Sequence, residues 1–181
     1  FCDILAGLFG SPDFVYRLVD RAADIEAVID RLADLWIGFA DYQIDRFPAF
    51  HGGTGSYFYN LWMPGRGAWI QEDAAALLSP QLFEPLVLPA LEKVIDHLDS
   101  VIIHLHPTGY IPIDLLVETN LLAIELHIDK GGPPAEALLP HYRKIQSRKP
   151  LVIWGDLTEA DLVFIKQNLD MSSLAVLPVI D

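Results

Sequence analysis

Apolar residues recur along this chain with two different periods, and the change from one to the other organises the prediction. In the first part they return at helical spacing: Phe14, Val15 and Leu18, then Ile25, Val28, Ile29, Leu32, Leu35 and Trp36. Ser11-Pro12-Asp13 reads as a helix start, with serine as N-cap and proline at the first helical position. The pattern predicts one long or broken helical region from Pro12 to about Phe39, its Asp and Arg residues on a solvated face. Tyr42 to Phe47 alternates loosely, which is compatible with a short strand. Pro48 to Gly67 has no period. It carries His51-Gly52-Gly53-Thr54-Gly55, then Tyr57, Phe58, Tyr59 and Trp62, and ends on Pro64-Gly65-Arg66-Gly67. Aromatics on a long glycine-hinged loop suit a lid over a substrate; a loop packed by its own aromatics is the alternative. Its glycines do not follow a strand–turn–helix phosphate pattern.

Beyond the loop the rhythm changes. Ala68 to Asp73 reads as a short strand ending on acids. Ser79-Pro80-Gln81 opens a helix with the stripe Phe83, Leu86, Val87, Leu91, Val94, Ile95 and Leu98, in which Pro85 and Pro89 predict a kink. Strands are then predicted at Val101–Leu105, Leu122–Ile128 and Leu151–Trp154. Helices alternate with them at Ile111–Thr119, Pro134–Gln146 and Thr158–Leu169, and Leu174 to Val179 is a final apolar run. Short, continuous, apolar strands alternating with helices indicate a parallel sheet in an α/β protein.

Composition narrows this picture. A length of 181 residues fits one domain, 1–181, and is enough to bury a core. The 52% apolar content argues against disorder. No apolar run reaches the roughly 18 residues of a membrane span, and no basic segment precedes an apolar one as in a secretion signal. The chain opens on Phe1 rather than Met, so a fragment is expected. The net charge of -13 argues against nucleic-acid binding and against anionic membranes. Cys2 is the one cysteine, which rules out an intrachain disulfide and a Cys-only zinc site, and suits a cytoplasmic setting.

The chemistry collects where strands end. Asp73 closes one strand and His104 and His106 the next. Glu125, His127 and Asp129 close the third at i, i+2, i+4, and Asp156 follows the fourth. Residues two apart in a strand share a face, so His104 and His106 project together, as do Glu125, His127 and Asp129. In parallel α/β folds the carboxyl ends of the strands form the active-site rim.

Two chemistries fit. His104, His106 and one of Glu125 or His127 could hold a divalent metal with an open position, which would activate a water, thiol or alcohol. Alternatively, carboxylates and histidines act as acid and base without metal, while Asp73 or Asp156 orients the substrate. The plainer alternatives are satisfied core histidines, a Glu125–His127 pair, and Asp156 as the cap of the helix near Thr158. Tyr59, Trp62 and Arg66 of the loop and Trp154 at a strand end are candidate substrate-binding residues. His97 and His141 are expected on the surface.

A family resemblance adds to this. Gln71-Glu72-Asp73 through Leu78-Ser79-Pro80, then Phe83 and Val87-Leu88-Pro89, resembles the uroporphyrinogen decarboxylase superfamily. His104-Leu105-His106-Pro107-Thr108-Gly109 falls where its corrinoid-linked methyltransferases carry His-x-Cys-Gly, and Leu151 to Asp156 looks like the later strand of those proteins. The resemblance covers roughly residues 12 to 180. It implies a (β/α)8 TIM barrel of which this chain is the later part, and hence open sheet edges that call for more chain or a partner. It further implies a methyltransferase-like activity on a small molecule, with zinc and a corrinoid, or a corrinoid protein, as methyl carrier. The alternatives are a metal-free decarboxylase acting on a polycarboxylate such as a tetrapyrrole, and a non-catalytic corrinoid or small-molecule binding module. Two departures matter: His106 stands where the zinc-binding members have cysteine, and the long Gly-aromatic loop fits neither well-known member closely.

Overall fold

Five strands carry the second periodicity into one parallel sheet. The computed structural model describes residues 1–56 and 60–179. Three helices lead: α1 (Cys2–Phe9), α2 (Ser11–Asp20) and α3 (Ala22–Ile44). A hairpin of β1 (Gly53–Ser56) and β2 (Leu61–Pro64) follows. Next come β3 (Gly67–Gln71), a 3-10 turn over Asp73–Leu77, and helices α4 (Pro80–Leu86) and α5 (Leu88–His97). Strands β4 (Ser100–Leu105), β5 (Ala123–Ile128), β6 (Leu151–Gly155) and β7 (Leu174–Pro178) then alternate with α6 (Ile113–Leu116), α7 (Ala135–Gln146) and α8 (Glu159–Asn168).

The sheet order is β3-β4-β5-β6-β7, every pair parallel. Parallel crossovers are right-handed, and crossovers that always step the same way put their helices on one face. The burial pattern agrees. Ile103, Leu105, Ile124, Leu126, Leu151 and Ile153 join the main core with residues of α5, α7 and α8. The alternate positions Ile102, Ala123 and Val152 face the other way and form a smaller cluster with Met63 of the hairpin. Register stacks this second face in layers. Trp69, Ile102 and Ala123 lie in one row, Gln71, His104, Glu125 and Val152 in the next, and His127 beside Trp154 above them.

Several local expectations change. Tyr42 to Phe47 is not a strand, because α3 runs to Ile44 and ends there. Ala33, Trp36, Ile37, Ala40 and Ile44 continue the helical spacing, and all pack in or against the core or are buried. The helical region is broken at Arg21. Gly10, with φ 89°, holds the N-cap position before α2, and Ser11 is already helical. The aperiodic loop contains a hairpin, in which Gly55 pairs with Trp62. The two prolines divide the Ser79 helix at Val87, as a kink there requires. The helix expected over Ile111–Thr119 shrinks to one turn. Among the described residues no helix is long and apolar enough to cross a membrane.

Candidate metal centre

The site is built by strand pleat. His104 is the last inward residue of β4 and is 3% exposed, and Glu125 beside it in register is 0% exposed. His106 lies one residue beyond β4, His127 is in β5, and Asp129 follows β5. All project from the face that bears Ile102 and Ala123. Asp73 comes from outside the sheet. It opens the 3-10 turn two residues after Gln71, the last residue of β3, where the sequence suggests that Asp73 itself closes the strand.

Two contacts hold that turn over the histidines. Asp3 of α1 accepts the N–H of Asp73 at 3.2 Å and of Ala74 at 2.7 Å. The Tyr110 N–H donates to the Ala76 carbonyl, and a Cβ at Gly109 would stand 2.2 Å from that oxygen, so only glycine lets the Pro107–Tyr110 turn approach. Beneath, the buried Glu72 carboxylate accepts the Cys2 N–H at 2.8 Å, which fixes α1 to the same corner.

The imidazoles are oriented by acids. His106 Nδ1–H donates to Asp129 Oδ1 at 2.7 Å, and His104 Nδ1 is in close contact with Glu125 Oε2. With each N–H turned to its carboxylate, each Nε2 carries a lone pair. Those two Nε2 atoms face each other at 2.9 Å. Asp73 offers Oδ1 at 3.7 Å from His104 Nε2 and Oδ2 at 3.9 Å from His106 Nε2. Three donors on a tetrahedral cation with bonds of about 2.0–2.1 Å stand about 3.3–3.4 Å apart, so this spacing suits one cation. Two acceptors pointed at one another repel unless a positive charge lies between them. Carboxylates on the far nitrogens of metal-binding histidines are the usual outer support of such a site.

His127 completes the cluster. Its Nδ1 is 3.6 Å from Glu125 Oε1 and its Nε2 is 4.0 Å from Asp129 Oδ1. Its ring lies 4.6 Å from those of His106 and Trp154. Three overlapping groups could each hold a metal ion: Asp73 with His104 and His106, His104 with Glu125 and His127, and His106 with His127 and Asp129.

The buried polar atoms support a cation here. Asp73 Oδ1, Glu125 Oε1, His127 Nδ1 and Asp129 Oδ2 are buried and have no hydrogen-bond partner. Buried groups of this kind cost stability unless something answers them. Among the described residues, the ion pairs of Asp73, Glu125 and Asp129 are all to histidines, with no Lys or Arg. Burial explains the proton affinities. Desolvation pushes His104 down to about 4 and Glu125 up to about 7. Asp73 is raised too, first by desolvation and then by the nearby Asp3.

Comparison with family models, curated proteins and solved structures gave no match to this chain. The side chains themselves therefore carry the argument.

The remaining sequence candidates divide. Trp154 forms a wall of the site, its ring 5.6 Å from that of His104. Asp156 belongs to none of the three groups. It does not cap α8 either: Thr158 does, in a capping box with Asp161. Tyr59 lies outside the described residues. Trp62 and Arg66 sit at the amino end of the sheet, opposite the histidines. Trp62 Nε1–H donates to the Phe50 carbonyl, and Arg66 pairs with Asp41 and Asp45 at 2.7 Å each. His97 is exposed, as expected, and joins this network through Asp41. A cavity of ≈ 890 Å³, lined by Trp36, Phe39, Phe50, Arg66 and Trp69 among others, opens at that amino end and includes none of the clustered histidines.

Asp3 was not a sequence candidate. Nothing local marks an aspartate in the first helix as the brace of a turn seventy residues on, and only the tertiary fold brings them together. Asp129 was visible in the sequence as part of the i, i+2, i+4 run, and its partnership with His106 follows from β4 and β5 being neighbours.

Proposed function

We propose that this chain carries the site of a metal-assisted enzyme acting on a small molecule, with Asp73, His104 and His106 as ligands of one divalent cation. The observation behind this reading is the pair of Nε2 atoms held 2.9 Å apart by acids on their far nitrogens, with Asp73 facing both. Three protein ligands leave a position open for a reacting group. A cation there supplies Lewis acidity and lowers the pKa of a bound water, alcohol or thiol. Asp73 and the histidines orient it, Glu125 and Asp129 fix the imidazoles, and Trp154 with His127 walls the site. Exposure rises from buried His104 and Glu125 to the side chains of His106 at 23% and Asp73 at 37%, which gives a small molecule an approach.

Zinc suits the nitrogen and oxygen donors. The sequential sheet with helices on one face supports a (β/α)8 barrel and, with the Gln71–Gly109 resemblance, membership of the uroporphyrinogen decarboxylase superfamily. Methyl transfer, with a corrinoid as carrier, is the activity which that membership implies. Histidine at 106 in place of a thiolate makes the bound cation more positive, which favours an oxygen nucleophile over a thiol. The metal-free decarboxylase reading is weaker. Polycarboxylates call for Arg or Lys, and Arg66 is engaged at the opposite end of the sheet. A proton shared between His104 and His106 is what the metal-free chemistry would use in place of the cation.

The test is metal content of protein purified without chelator, beside a His104→Ala/His106→Ala double variant checked for folding, followed by assays of methyl transfer to small alcohols and thiols. Bound divalent metal that the double variant loses supports the reading. Absence of metal even after zinc addition sinks it and leaves acid–base chemistry.

A further inference from the structure

We infer that the cluster takes a second divalent cation, on the His127 side, held by Glu125 Oε1 and His127 Nδ1. This deepens the metal-centre reading above and rests on it.

The first cation uses Asp73 and the two Nε2 atoms. It leaves Glu125 Oε1 and His127 Nδ1 unanswered. Both are buried without a hydrogen-bond partner, Glu125 being 0% exposed. They are not pointed apart, since they stand 3.6 Å from one another. That is too long for a hydrogen bond and close to the about 3.4 Å separation of two ligands on one cation with bonds near 2.1 Å. On the other side of the same imidazole, Asp129 brings Oδ1 to 4.0 Å from His127 Nε2, and its Oδ2 is also buried and unpartnered. Glu125 has an oxygen for each duty: Oε2 orients His104 and Oε1 faces His127.

Charge points the same way. Asp73, Glu125 and Asp129 contribute three negative charges, and their ion pairs are to histidines alone. One dication leaves the site net negative with neutral imidazoles. Two make it net positive. The His127 ring is 5.4 Å from that of His104 and 4.6 Å from that of His106, and Glu125 lies on the Nδ1 side of His104, so the His104 ring stands between the two cations. With two protein ligands against three, the second binds more weakly. A net positive site favours an anionic substrate, a carboxylate or a phosphate ester, over a neutral alcohol.

The experiment is a titration of the metal-free full chain with Zn²⁺ and, separately, Mn²⁺, followed by calorimetry, with elemental analysis after gel filtration. The expected result is two equivalents in two steps, the second at least about tenfold weaker. His127→Ala is expected to lose the weaker step alone, and Glu125→Gln to weaken both. A single equivalent in the unaltered protein overturns the second site while leaving the first intact. A weaker step that persists in His127→Ala and Glu125→Gln places that ion elsewhere and also overturns it. No uptake at all removes the metal-centre reading and this inference together. Should His127→Ala fail to fold, His127→Gln and the stoichiometry of the unaltered chain decide.

Discussion

The two ends of the sheet's second face use charge in opposite ways. At the amino end, Arg66 is surrounded: Asp41 and Asp45 take its guanidinium, and Asp99 accepts its backbone N–H at 2.8 Å. Asp41 is further shared with His97, and both neighbours hold its carboxyl below the usual range, His97 first. Asp41 and Asp45 each meet the guanidinium, and the side chains of the three are 33–61% exposed. At the carboxyl end, among the described residues, three carboxylates form ion pairs with imidazoles alone, and four polar atoms stay buried and unpartnered. Satisfied charge near water adds little and asks for nothing. Unsatisfied charge in a buried corner has to be stabilised by the rest of the fold, and such places are where ligands bind. The difference sets the candidate site apart from an ordinary surface charge network.

The largest expected effect falls on the carboxyl end alone. His104→Ala/His106→Ala should weaken zinc binding by at least about a thousandfold, since two of three ligands are gone. Arg66→Ala should leave zinc affinity unchanged and change stability little, as for exposed pairs. Calorimetric titration and denaturant melts of both variants check this. Equal loss of zinc binding in both would erase the distinction between the ends.

Next in size is the outer support. Asp129→Asn should keep the fold and lower zinc affinity about 10- to 100-fold, because the amide no longer fixes the His106 tautomer as a carboxylate does. Competition with a chromogenic chelator measures it. Asp156→Ala, measured alongside, should change nothing.

The brace comes third. Gly109→Ala must displace the Ala76 backbone, at about 1–3 kcal/mol, and Asp3→Ala removes two N–H acceptors from the Asp73 turn, at about 1 kcal/mol. Both should weaken zinc binding by more than stability alone explains. An unchanged affinity would mean that Asp73 is no ligand.

The smallest effect is on pH. Glu125 folds with a pKa of about 7 against 4.5 ordinarily, so the folded state holds the proton more tightly. Its contribution is full below 4.5 and is lost as pH rises through 7. His104, lowered from 6.5 to about 4, acts oppositely: its contribution is lost as pH falls from 6.5 toward 4. The two offset between about 4.5 and 6.5. The metal-free protein should therefore lose stability from about pH 6.5 to 7, and Glu125→Gln should flatten that decline in urea melts.

Much of this site was legible in the sequence, for physical reasons. The period of two put His104 with His106 and Glu125 with His127 on one face, and helix-separated apolar runs implied neighbouring parallel strands. What spacing alone does not give is reach. An aromatic, glycine-rich loop suggests Arg66 and Trp62 as substrate-binding residues, and the fold places them away from the histidines. Arg66, however, directly precedes β3, and a residue before a strand lies at its amino end, opposite the rim. That order is itself a signal in the sequence, as is the 33-36-37-40-44 spacing that carries α3 past Tyr42. The hairpin was hidden because Gly53 and Gly55 supply no alternation. Asp3 could not have been found, since its partners are set by how α1 docks.

The most direct measurement is an anomalous difference map from crystals soaked in zinc, recorded on either side of the zinc edge. The account predicts a strong peak bonded to His104 Nε2, His106 Nε2 and Asp73, at about 2.0–2.2 Å from each. A site with no peak, or zinc bound only at the amino end beside Asp41 and Asp45, would contradict it.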